Sequence, residues 1–148
     1  MTHSITPKNI VLYADDDPDD LQLVQEAFAQ FARDVEVVTA SDGGQALSYL
    51  EALSDLDPLP CLIILDVNMP VVDGKQVLRR LRTMERFAEV PVVLFTTSSQ
   101  PADQGFAEKH GAGFITKPLQ FKQMELITDQ FIAHCAEEIR KKIRRQMQ

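Results

Sequence analysis

Five carboxylates fall within six positions of this chain: Asp15, Asp16, Asp17, Asp19 and Asp20. Like charges so close repel one another, and a cation among them relieves the repulsion. A sixth acid, Asp66, ends the apolar run Leu62-Ile63-Ile64-Leu65 and is followed by Val67-Asn68-Met69-Pro70-Val71-Val72-Asp73-Gly74. Thr96 and Lys117 close two further apolar runs, Val92-Val93-Leu94-Phe95 and Gly113-Phe114-Ile115-Thr116. Asp15, Asp16 and Asp66 are hard oxygen ligands of the kind Mg²⁺ takes, and a backbone carbonyl near Asn68 would add one more. A lysine gives a phosphate a point charge and a hydroxyl gives it a hydrogen bond; both stabilise a transferring phosphoryl group. In such a set Asp66 is the nucleophile, and the product is an aspartyl phosphate.

Strands must bring these groups to one edge. Asn9–Tyr13, Val35–Thr39, Leu62–Leu65, Val92–Thr96 and Gly113–Thr116 are short runs rich in β-branched residues and bounded by turn formers. Between them lie helical patterns. One opens at Pro18 with Asp19 and Asp20, acids that suit a positive helix end, and carries Leu21, Val24, Phe28 and Phe31 on one face. Asp42-Gly43-Gly44 breaks the chain before Ala46, Leu47, Leu50 and Leu53 mark the second helix. A third runs over 75–82, a fourth from Ser98, Ser99 and Pro101 to His110-Gly111, and a long amphipathic segment follows Phe121. Five strand–helix units in a row predict an α/β fold, a doubly wound parallel sheet with helices on both faces. The carboxyl ends of its strands share the edge where ligands collect in such folds.

The length of 148 residues suits one domain. No apolar run approaches the roughly 20 residues of a membrane span, and Met1–Pro7 lacks the pattern of a signal peptide. Cys61 and Cys135 are isolated, which predicts buried thiols in a reducing cytoplasm. The net charge of −7 argues against nucleic acid as a partner. Residues 137–148 carry +3, leaving −10 on the rest.

Four stretches together are similar to the receiver domain of two-component response regulators. They are Tyr13-Ala14-Asp15-Asp16-Asp17-Pro18-Asp19-Asp20, Leu65–Gly74 with its Asp-x-x-Met-Pro-x-x-Asp-Gly pattern, Phe95-Thr96-Thr97-Ser98 and Thr116-Lys117-Pro118. The resemblance spans about residues 8–132, with 1–7 as a short tail and 133–148 as a helical extension with a basic end. It implies a CheY-like sheet of order 2-1-3-4-5, with Asp66 as phosphoacceptor and Asp15, Asp16, Asp66 and the Asn68 carbonyl at a Mg²⁺ site. It further implies Thr96 as switch hydroxyl, Lys117 as phosphate-binding lysine and a cis peptide before Pro118. Phe114 falls at an aromatic switch position, and its lack of a hydroxyl leaves ring packing as the only lever. The implied protein is a cytoplasmic, stand-alone phosphoacceptor rather than an enzyme acting on other substrates. Its partners would be a histidine kinase or histidine phosphotransfer protein and a downstream protein target, with no membrane or nucleic acid.

Plainer roles compete at several positions. Asp17, Asp19 and Asp20 suit helix capping and solvation, Asp73 suits the turn with Gly74, and Arg79, Arg80 and Arg82 suit a solvated face. His3, His110 and His134 match no ligand pattern. Residues 133–148 read as a solvated helical extension or as a partner or homodimer helix, with Glu137 and Glu138 placed to support Arg140, Lys141 and Lys142. Of other functional classes, a receiver-like module that signals without phosphorylation is disfavoured by the complete acid set and lysine. A dehalogenase-like phosphatase typically has a second Asp where Asn68 stands. A flavin carrier needs a hydroxyl- or glycine-rich phosphate loop where Asp15-Asp16-Asp17 stands.

Overall fold

The computed structural model describes residues 9–32, 34–98, 100–118 and 124–135. Ten elements alternate: β1 (Asn9–Ala14), α1 (Pro18–Phe28), β2 (Val35–Ala40), α2 (Gly43–Glu51), β3 (Leu62–Leu65), α3 (Gly74–Thr83), β4 (Val92–Thr96), α4 (Pro101–Lys109), β5 (Gly113–Thr116) and α5 (Met124–Ala133). The five strands form one parallel sheet of order β2-β1-β3-β4-β5, as the sequence predicts. Two short 3₁₀ turns, Ala29–Phe31 and Glu85–Phe87, follow α1 and α3.

Side chains alternate across a strand, so each buried strand feeds two cores. Val11, Tyr13, Leu62, Ile64, Val93, Phe95 and Ile115 pack with Val24 and Phe28 of α1 and Phe131 of α5. Leu12, Ala14, Ile63, Leu65, Val92 and Leu94 pack on the opposite face with Leu50 of α2, Leu78 and Leu81 of α3, and Ala107 of α4. Phe131 is the hinge pin of the first layer. It is fully buried, stacked on Phe28 at 6.0 Å and edge-on to Phe95 at 5.0 Å.

Helix ends show why the elements start where they do. Asp17 caps α1 by accepting from Asp19 N at 2.9 Å, and Pro18 opens its first turn. Gly43 and Gly44 do not break the chain before α2 but form its first turn, because Asp42 supplies the cap and accepts from Gln45 N at 2.8 Å. Asp73 does more than turn the chain: with Gln76 it forms a capping box at the start of α3.

Arg82 is not a solvated face residue. Half-buried, it donates to the carbonyls of Phe87, Val90, His110 and Gly111 at 2.8–3.2 Å, tying α3 to the ends of α4 and the 3₁₀ turn. Arg80 meets the expectation: it is exposed and reaches the exposed Glu51 at 3.2 Å. The two cysteines, isolated in sequence, meet in the first core with Sγ atoms 3.9 Å apart. Among the described residues no helix is long and apolar enough to cross a membrane. The tail 1–7 and all but the first residues of the 133–148 extension, with its suggested dimer helix, lie outside the described residues.

Candidate functional site: an acidic rim at the carboxyl ends of the strands

The pairing of β1 with β3 aligns Ala14 with Leu65. One step further Asp15 stands beside Asp66, and Asp66 N donates to Ala14 O at 3.0 Å. Alternation then sets the faces. Asp15 follows Tyr13, Asp66 follows Ile64 and Lys117 follows Ile115, so all three project on the side of α1 and α5. Thr96 follows Leu94 and belongs to the other side, toward α4.

Carboxylate oxygens of Asp15, Asp16 and Asp66 lie within 4.8 Å of one another. Asp15 is fully buried and Asp66 is 5% exposed, while Asp16 faces solvent. This is the rim the sequence predicts, with one open side. Its donor set fits a hard divalent cation, since all three atoms are carboxylate oxygens and water can reach the exposed member. A cationic group already stands there: Lys117 Nζ is 2.6 Å from Asp15, 2.8 Å from Asp20 and 3.1 Å from Asp66.

Asp20 is the functional neighbour that local sequence reasoning missed. At the start of α1 a carboxylate has a sufficient local role as a complement to the helix dipole. Only the tertiary fold reveals its bond to a lysine 97 residues away. Tyr13 is a second. Its buried hydroxyl donates a short hydrogen bond to the same Asp15 oxygen that Lys117 holds, while Asp17 N donates to the other at 3.0 Å.

The Asp66 carboxyl is raised to about 6: burial is the largest cause and the Asp15 charge adds to it, while Lys117 and the Asn68 amide (3.1 Å) offset part of the rise. For Lys117 burial acts downward, yet the bonds to Asp15 and Asp20 and the charges of Asp15 and Asp66 outweigh it and hold the ammonium well above its usual range. Burial, then the Asp15 charge, likewise raises Tyr13 and keeps its hydroxyl protonated. The rim therefore combines a partly destabilised carboxylate with a firmly charged lysine.

The loop after β3 is shaped for close approach. Gly74 N donates to Val67 O at 3.3 Å, and a Cβ on Gly74 would collide with the Asp66 carbonyl. Val72 N reaches Pro70 O at 2.7 Å across Val71, whose φ of 64° is rare for a β-branched residue. Val71 is exposed beside the site. On the far side Thr96 is fully buried, its Oγ1 accepting from Ser98 N at 3.2 Å. Phe114 is half-buried against the second core.

The cis peptide expected before Pro118 is not present: the described residues contain none. The trans form is the intrinsically favoured one for X–Pro, by about 0.5–1 kcal/mol. Lys117 N reaches Thr96 O at 2.7 Å and Lys117 Nζ reaches the acids with that bond trans. Asn68 meets the rim through its backbone N–H, which donates to Asp66 Oδ1 at 3.1 Å.

Comparison with known proteins agrees with this geometry. The family description "Response regulator receiver domain" matches residues 11–129. Response regulator Rcp1 of Synechocystis is 31% identical over 127 residues, covering 84% of this chain and 86% of that protein. The structure of the phosphorylated cyanobacterial phytochrome response regulator RcpA superposes with a TM-score of 0.77 at 28% identity, covering 88% of this chain and 98% of that one. The Mn²⁺-bound form of Rcp1 gives a TM-score of 0.73 at 30% identity, over 83% and 93% of the two chains. Chemotaxis protein CheY4 of Vibrio cholerae gives 0.69 at 28% identity, over 84% and 99%. With its sheet order, its acidic rim and this match across most of its length, the chain belongs to the receiver domains of two-component response regulators.

Proposed function

We propose that this protein is a phosphoacceptor switch in which Asp66 takes a phosphoryl group from a phosphohistidine on a histidine kinase or phosphotransfer protein. The observation that carries the reading is Asp66 itself. It is a nearly buried carboxylate at a strand end, with an ammonium at 3.1 Å and two further carboxylates close enough to share a cation. A carboxylate oxygen of Asp66 attacks phosphorus, the P–N bond breaks, and its electron pair stays on the imidazole, which takes up a proton. Water later attacks the same phosphorus, releases inorganic phosphate and restores the carboxylate.

Asp15, Asp16, Asp66 and the Asn68 carbonyl would hold the Mg²⁺, which when bound supplies positive charge to the phosphoryl oxygens. The chain's own residues do the rest. Lys117 gives its charge to a phosphoryl oxygen, and the Thr96 hydroxyl donates to another. The added charge biases a pre-existing equilibrium of β4, α4 and β5, with the Phe114 ring repacking as they shift. Output then passes through protein contacts. In this role the chain catalyses only its own phosphorylation and hydrolysis.

Incubation with a small acyl phosphate and Mg²⁺, followed by intact-mass measurement, tests the reading. One phosphoryl adduct is expected on the wild type and none on Asp66→Asn. Equal labelling of the two proteins, or none on either, refutes it.

A further inference from the structure

Lys75 lies in the first turn of α3, at the positive end of that helix, where a cation is electrostatically misplaced. Its partner accounts for it. The Lys75 ammonium forms a close ion pair with Asp103 in the first turn of α4, and the carboxylate is only 10% exposed. That shielding sets this pair apart from surface pairs, which contribute little.

The other Asp103 oxygen accepts from Ser98 Oγ at 2.6 Å. Ser98 Oγ accepts in turn from Gln100 N at 3.2 Å, and Ser98 N donates to Thr96 Oγ1 at 3.2 Å. The bonds to Lys75 and Ser98 hold the Asp103 carboxyl below its ordinary range. A continuous chain thus runs Lys75–Asp103–Ser98–Thr96. Its first member follows Gly74, whose Cα lies against the Asp66 carbonyl, and its last member ends β4. Between the two loops opens a 520 Å³ cleft lined by Asn68, Met69, Asp73, Lys75, Ser98 and Asp103 among others.

We infer that Lys75 and Asp103 are positioning residues, a latch that fixes the Thr96 hydroxyl through Ser98 and restrains the β4–α4 loop in its unphosphorylated setting. This rests on the reading of Asp66 as phosphoacceptor. Movement of Thr96 toward a phosphoryl group breaks the Ser98–Thr96 bond and loosens the loop that Asp103 holds. Weakening the ion pair therefore favours the switched arrangement without touching the acids or Lys117.

Acyl-phosphate labelling rates of Lys75→Gln, Asp103→Asn, the double variant and Lys75→Arg decide the matter. Lys75→Gln and Asp103→Asn are expected to be labelled about fivefold faster, at the low end of usual coupling between sites. The double variant is expected to match the singles, and Lys75→Arg, which keeps the charge, to match the wild type. Unchanged rates, additive effects, or an equal rise in Lys75→Arg overturn the latch. Amide hydrogen exchange at Ser98 in unphosphorylated protein supplies a readout independent of the chemistry. If the wild type is not labelled, the phosphoacceptor reading fails, and exchange alone judges the restraint. Faster exchange in Lys75→Gln but not in Lys75→Arg supports it; equal exchange in all three overturns it.

Discussion

Asp66 is asked to be both buried and charged, and those demands oppose each other. Its raised pKa means that folding favours the protonated form, so between about pH 4 and 6 the native state binds more protons than the unfolded chain. The stabilisation this gives at low pH is lost as pH rises through about 6. At pH 7 without Mg²⁺ the ionised carboxylate is a net burden. Asp66→Asn is therefore expected to be more stable than wild type at pH 7, by on the order of 2 kcal/mol. Urea unfolding across pH checks this: the gap should close below about pH 4, where the wild-type group is neutral in both states. Added Mg²⁺ should narrow it at pH 7. A wild type more stable than the variant at pH 7 without metal would mean that Lys117 compensates fully for burial.

At the scale of elements, helix starts position the chemistry. Asp73 accepts from Gln76 N at 2.9 Å and donates its own N–H to Gln76 Oε1 at 2.9 Å, fixing where α3 begins and so where the loop carrying Asp66 must end. Asp73→Ala is expected to lose about 1 kcal/mol in urea unfolding, the usual cost of a lost cap, and Gln76→Ala less. Strands β3, β4 and β5 coincide with their expected spans because a short β-branched run between turn formers has few other ways to fold. Helix starts were less legible. Gly43-Gly44 looks like an interruption to local propensity, yet an Asp cap at position 42 is enough to begin a helix through two glycines. Val71 sits where composition gives no warning of a positive φ, and the tight turn that takes it there is closed by Val72 N donating to Pro70 O.

Across the whole molecule, what the sequence leaves hidden is long-range pairing. The acids, hydroxyl and lysine were legible because each ends a strand, and a parallel sheet sends all strand ends to one edge. Asp20 with Lys117, Cys61 with Cys135, and Arg82 with the His110 and Gly111 carbonyls are contacts across 28 to 97 residues. Periodicity describes faces of single elements and is silent about which faces meet. The Tyr13 bond to Asp15 spans only two residues, yet periodicity is silent about it too, and it has a practical consequence. The chain has no tryptophan and two tyrosines, Tyr13 in the site and Tyr49 on α2. Its near-ultraviolet emission thus comes from two phenols, one of them bonded to a carboxylate of the rim. In a Tyr49→Phe background, Mg²⁺ titration is expected to change the emission of Tyr13 saturably, and Asp16→Asn should weaken that response. An emission unmoved by Mg²⁺ at concentrations that support labelling would disconnect Tyr13 from the metal. Otherwise the protein reports the occupancy of its own site by its native light.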